Sequence, residues 1–258
     1  MVKTLLKSFK LSNKLKITFL IELVFMTIIV SLASLFNWLL TVKSNTFSNG
    51  QTPEQVKLLF ASMGPDQMNS FVNQLQSYLY FLIIGFIIIA VTTLILFSLS
   101  RAMIWSKLLK NKLSIKNWKR WVLLNIAILV PILLFLIIYA IVKIMINLII
   151  TSVITNNNAL LIVNLVINYA LFLFLLIFIF LVFYSFAKDQ KVWQSIGHSF
   201  SLIKKTFWKY YLFVLIVSLL MNVIGYLISL LIASLIINMI LLVLFISWAR
   251  VYLVKVLK

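Results

Sequence analysis

Residues 121–143 read WVLLNIAILVPILLFLIIYAIVK, an apolar run with no charge between Arg120 and Lys143. A helix rising about 1.5 Å per residue needs roughly 20 apolar residues to cross about 30 Å of hydrocarbon. Lipid cannot satisfy free backbone groups, so a run of this length and composition reads as a transmembrane helix. Working outward, five similar runs follow the same criterion, at residues 17–41, 77–99, 159–187, 209–230 and 233–254. No charged loop separates the last two, so a tight turn is placed near Ser229 to Ser234, with a long re-entrant hairpin as the alternative. The 258 residues are 64% hydrophobic and only 10% charged, against about a quarter charged in soluble domains. The predicted fold is all-α: a polytopic transmembrane helix bundle of six spans with amphipathic interfacial helices, a single membrane domain over residues 1–258.

The basic residues divide the connections into two kinds. Twenty of the 23 lie before the first span, between spans two and three, between spans four and five, or at the C-terminal end. The first connection holds only Lys43 and Lys57 and the third holds none, while Lys143 falls at the outer end of span three. Because short cytoplasmic loops accumulate Lys and Arg, this alternation predicts a cell-membrane protein with both termini cytoplasmic. A signal peptide is the competing reading of the first segment, since Ser31, Ala33 and Ser34 follow an apolar run. The run continues through Leu35, Phe36, Trp38 and Leu40, beyond the usual signal core, and favours a retained anchor. A net charge of +19 raises nucleic-acid binding, but the cations flank apolar spans instead of forming a basic face, so the expected counter-charge is anionic lipid headgroups.

Between Val192 and Trp208, the residues Trp193, Ile196, Phe200, Ile203 and Phe207 recur at helical spacing, opposite Lys191, Gln194, His198, Lys204 and Lys205. This is the pattern of a helix in the headgroup layer, with Trp193, Ile196 and Phe200 toward the acyl chains and Lys204 and Lys205 toward anionic lipid. Leu5 and Phe9 with Lys7, Lys10 and Lys14 suggest a shorter version, and Met103 to Trp121 another. Such helices can simply lead the chain into the bilayer, or they can dock a partner protein. Three similar stretches, LSNKLK at 11–16, LSIKNWKR at 113–120 and SLIKKTFWK at 201–209, hint at a threefold repeat of one interfacial helix and two spans. An outer helical cap is predicted over residues 52–76. Thr52 to Gln55 form a capping box, Val56, Leu59, Phe60 and Met63 a first stripe, and Met68, Phe71, Val72 and Leu75 a second that runs into span two after Gly64 and Pro65.

The residues for catalysis are scarce. There are four acidic residues, Glu22, Glu54, Asp66 and Asp189, one histidine and no cysteine. No HExxH, paired aspartate, Gly-x-Ser-x-Gly or phosphate-binding glycine pattern is present. The sequence therefore predicts no enzyme, no metal and no cofactor. His198, on the polar face of an interfacial helix beside lysines and away from carboxylates, reads as a solvated headgroup-level side chain. Glu22 is costly inside a span and is a candidate for function, or for pairing with Lys16 or Arg250 at similar depth. The neutral candidates within spans are Asn125, Asn164, Asn168, Asn222 and Asn238, with Asn164 and Asn168 one turn apart on a shared face. Such amides hydrogen-bond between helices or line a substrate path.

Lys188 to Val214, with Ser199, Leu202, Lys204, Lys205 and Trp208 ahead of a fresh span, resembles a broad group of prokaryotic six-helix membrane proteins similar to the membrane domain attached to some glycerophosphodiester phosphodiesterases. The resemblance implies a bundle without chemistry of its own, since the soluble phosphodiesterase domain has no counterpart here. The chain also resembles six-span permease subunits of ATP-driven exporters, in which Met103 to Lys119 or Lys191 to Thr206 would contact a separate ATPase. Two functions follow as expectations: a non-catalytic module organising lipid or partner proteins, and a transport subunit energised by a partner.

Overall fold

A computed structural model describes residues 12–48, 64–110, 115–153, 157–231 and 235–257, and these are helical almost throughout, with no strand among them. Seven helices are seen: α1 Asn13–Ser48, α2 Pro65–Leu109, α3 Ile115–Ala127, α4 Leu129–Val153, α5 Asn157–Asp189, α6 Val192–Leu231 and α7 Leu235–Val256. Six stretches are long and apolar enough to cross a membrane: Asn13–Asn45, Pro65–Leu109, Trp118–Asn147, Val163–Asp189, Tyr210–Leu227 and Ile236–Val256. The chain is a multi-pass, all-α membrane protein.

Local sequence sets the helix boundaries. Ser12 caps α1, its hydroxyl accepting the Leu15 N–H at 3.3 Å. Pro65 opens α2 at the position where its missing N–H costs nothing, and Asp66 places a negative charge at the positive end of the helix dipole. At 45 residues α2 is about 68 Å long, more than twice a hydrocarbon core. It takes in both the Met68 to Leu75 stripe and the stretch from Arg101 to Leu109. The third span is broken at Ile128, between α3 and α4. Pro131 cannot donate to the Ala127 carbonyl, so the ladder loosens there, although Ile132 still bonds back to Ile128 at 3.3 Å.

Several expected elements take a different form. Val192 to Trp208 is not a separate interfacial helix but the first part of the 40-residue α6, because no glycine or proline interrupts the chain between Thr206 and the fifth span. Its buried face carries Ser195, Ile196, Ser199 and Thr206, while Trp193 and Phe200 are exposed. Ile196, expected to meet acyl chains, is thus packed inside the protein. The Met103 to Trp121 element is also divided. Met103 to Leu109 ends α2, with Ile104, Trp105 and Leu108 in the core, and α3 begins only at Ile115. The three similar stretches do not occupy equivalent places, since the described parts of the first two, 13–16 and 115–120, open helices and 201–209 lies inside α6. The Thr52 to Met63 half of the outer cap, the Leu5 to Lys10 segment and the turn at residues 232–234 fall outside the described residues.

The chain, read above as one membrane domain, divides into two compact units, one of residues 1–23 and 98–258 and the other of residues 24–97. In the smaller unit α1 and α2 pair through aromatics, Phe25 with Phe97 at 5.8 Å and Phe36 with Phe81 at 6.4 Å between ring centroids. A Cβ on Gly85 would overlap the ring of Phe36, so the missing side chain is what admits it. In the larger unit α5 and α6 form the most extensive pair. The core is aromatic: Trp121 meets Phe186 edge-on at 4.9 Å, and Tyr252 stacks between Trp248 at 5.3 Å and Tyr210 at 5.7 Å. By contrast α4 shows Leu133, Leu134, Ile137, Ile138 and Ile141 exposed, a surface suited to lipid.

Candidate functional site

Three helix stripes of the larger unit converge on one carboxylate. On α1, Leu15, Thr18 and Glu22 are buried at spacings of three and four; on α2, Ser98, Arg101, Trp105 and Leu108; on α7, Val243, Ser247, Arg250 and Val254. Each stripe is apolar or small except at its ionisable member. Arg101 Nη2 donates to Glu22 Oε1 at 2.7 Å, while Arg250 forks across the carboxylate, Nη1 to Oε2 at 2.8 Å and Nη2 to Oε1 at 3.4 Å. All three side chains are buried. The Arg250 guanidinium also lies over the Phe180 ring, 4.9 Å from its centroid, which places a fourth helix, α5, against the cluster. Nearby, Lys14 Nζ donates to the Leu108 carbonyl at 2.5 Å, supplying a cation at the carbonyl end of α2.

This arrangement realises the expected Glu22 to Arg250 pairing and adds a second arginine, Arg101, that the charge reading had assigned to a connection. Neither Arg101 nor Arg250 is a surface charge. Both carboxylate oxygens are held by guanidinium donors, so the cluster acts chemically as a clamp joining α1, α2 and α7. Two guanidiniums and one carboxylate leave it with a formal charge of +1.

The neutral candidates are distributed in three places. Asn125 is buried on α3 and donates to Ser98 Oγ on α2 at 2.8 Å. Asn168 on α5 accepts at Oδ1 from Tyr139 Oη and, at 3.0 Å, from Lys143 Nζ, both on α4. Asn164 lies one turn earlier on the same helix. Asn222 and Asn238 line a groove between α5, α6 and α7. There Asn222 Nδ2 donates to Tyr169 Oη at 2.7 Å and to its own Ser218 carbonyl at 2.9 Å, and the Tyr169 and Ser218 hydroxyls bond each other. Tyr169 and Ser218 escape a reading of the sequence because a serine or tyrosine in a span is common and carries no charge cost.

His198 is exposed, as expected, but it does not stand apart from carboxylates. Its Nδ1 lies 3.8 Å from Asp189 Oδ2 and 3.1 Å from Ser185 Oγ, because the short link between α5 and α6 folds Asp189 back toward the first turns of α6. A serine, a histidine and a carboxylate thus meet, but both contacts fall on one ring nitrogen. A nucleophile relay needs the hydroxyl on one nitrogen and the carboxylate on the other, so this is not that arrangement. Of the residues expected at the lipid surface, Trp193, Phe200, Lys204 and Lys205 are exposed, and the Phe200 ring lies 5.1 Å from that of Phe178, tilted by 43°.

Comparison with protein-family models, curated proteins and solved structures finds no match to this chain.

Proposed function

We propose that this is a non-catalytic multi-pass protein of the cell membrane, with both termini cytoplasmic, whose lysine-rich end organises anionic lipid and partner proteins. One observation carries the reading. The carboxylate of Glu22 is consumed in the buried clamp, whereas Lys107, Lys119, Arg120, Lys188, Lys191, Lys204 and Lys205 all remain exposed in the same unit. The interior charge is thus committed to holding helices together, and the outward charge of this unit is overwhelmingly positive, with Asp189 the one exposed carboxylate among its described residues. Anionic headgroups supply the complement, each cation near such a surface contributing on the order of 1 kcal/mol. The exposed Trp193, beside these lysines on α6, suits the boundary between headgroups and acyl chains.

Purification in mild detergent, with the retained lipid quantified by mass spectrometry, tests this. Anionic phospholipid should be enriched over the bulk membrane, and Lys204→Gln with Lys205→Gln should cut the enrichment by up to about fivefold per charge. Lipid retained in bulk proportions would contradict the reading. A nucleotide-binding subunit recovered in fixed stoichiometry would replace it with the transport-subunit alternative.

A further inference from the structure

We propose that the groove between α5, α6 and α7 is a binding site for the uncharged, hydroxyl- and ester-bearing head of a neutral glycerolipid of the diacylglycerol type. The groove holds about 430 Å³, inside the range of about 300 to 1,000 Å³ typical of small-molecule sites. Its described polar lining is Tyr169, Ser218, Asn222, Tyr226 and Asn238, and none of its described lining is charged.

The polar groups are built to receive a ligand, not merely to satisfy one another. Tyr169, Ser218 and the Asn222 amide nitrogen form a closed set of hydrogen bonds that fixes the Asn222 side chain. Its Oδ1 is left as an acceptor with no donor among the described residues. The Asn238 side chain, across the groove on α7, makes no hydrogen bond with another described residue, although it carries two donors and an acceptor. Both amides sit in candidate spans, Asn222 in Tyr210–Leu227 and Asn238 in Ile236–Val256, where hydrocarbon offers nothing to bond with. A glycerol head supplies what they lack: a free hydroxyl to donate to Asn222 Oδ1 and ester carbonyls to accept from the Asn238 amide.

Gly225 keeps the site open. A Cβ there would come within 3.3 Å of Asn238 Oδ1 and 3.7 Å of Leu241 Cδ1, so alanine would need Asn238 to give by a few tenths of an ångström and a branched side chain would fill the groove beside it. The remaining walls are apolar, with Phe172, Leu242 and Phe245 available to the first acyl carbons, and Leu219, Val223 and Leu227 exposed along α6 beyond them. The position suits a ligand arriving through the bilayer. Arg250 lies twelve residues beyond Asn238 on α7, about 18 Å along the axis, so the groove occupies the opposite half of the span from the ion clamp. A phosphate-bearing lipid would bring an anion to a groove without a cation, and this favours the neutral class. The site is independent of the lysine-rich end, because none of its described groups is charged.

The test is photolabelling of the purified full-length protein in lipid-detergent micelles with a diacylglycerol carrying a diazirine near its glycerol. Labelled peptides should map to residues 165–172, 218–227 or 236–245. Excess unlabelled diacylglycerol should compete and phosphatidylglycerol should not. Asn238→Leu, an exposed position that should fold normally, should reduce labelling about tenfold, as expected for loss of the hydrogen bonds that recognise the head. Gly225→Leu should abolish labelling where the variant keeps the wild-type melting temperature. Equal labelling of wild type and Asn238→Leu, equal competition by phosphatidylglycerol, or labels confined to other helices would each overturn the proposal.

Discussion

Glu22 holds one negative charge between two guanidiniums, so removing it and removing either arginine are not equivalent. Glu22→Gln leaves two buried cations with no anion, whereas Arg101→Gln or Arg250→Gln leaves a neutral pair. Breaking a buried ion pair costs about 3 to 5 kcal/mol, and Glu22→Gln should fall at the upper end, with the arginine variants clearly milder. Arg250→Gln added to Glu22→Gln should be less than additive, because it removes one of the uncompensated charges. Thermal unfolding in detergent reads the order directly; arginine variants as damaging as Glu22→Gln would argue against a charge-balanced clamp. That Glu22 pairs with a cation at similar depth was legible in the sequence, but depth alone left Lys16 and Arg250 equally open, and the structure selects Arg250. Arg101 was hidden among six other basic residues of its connection. The signal lay in its neighbours: Ser98 and Ser100 before it and Ala102, Met103, Ile104 and Trp105 after it make an apolar, close-packing context, not a loop. The closure of Tyr169 on Ser218 and Asn222 was not legible, since it depends on how α5 and α6 are rotated against each other.

Helices are decided by apolar runs, and their ends by single residues. Lys110 follows the last residue of α2 with φ of 63°, the left-handed conformation in which a Cβ costs roughly 1 to 2 kcal/mol and glycine nothing. Lys110→Gly should therefore stabilise the protein by about 0.5 to 1 kcal/mol after the extra entropy of glycine in the unfolded chain is counted. A rise in melting temperature is the expected outcome, and a fall would show that the lysine side chain contributes more than its backbone costs. The spans themselves were plain in the sequence because each is a predominantly apolar run of about 20 residues, interrupted by a few polar ones. What composition could not show was continuity. The amphipathic half of α6 looks like a separate element by its change of pattern, yet helix hydrogen bonding passes straight through from Thr206 to Tyr210, as it does from the Leu75 stripe into the second span. A change in what a helix faces is not a break in the helix.

At the scale of the whole molecule, basic connections alternate along the chain with nearly charge-free ones, and the proposed topology puts the basic ones on the cytoplasmic side. Burial of Arg101 and Arg250 takes two cations out of that tally, but the exposed lysines of α2, α5 and α6 keep its sign. Because the chain has no cysteine, single cysteines report their side without interference. Cysteines at Gly64 and Asn157 should react with an impermeant thiol reagent applied to intact cells, and cysteines at Lys107 and Lys191 should react only after the membrane is opened. Labelling of Lys107→Cys or Lys191→Cys from outside, or protection of Gly64→Cys, would contradict both the six-span crossing pattern and the cytoplasmic placement of the lysine-rich end.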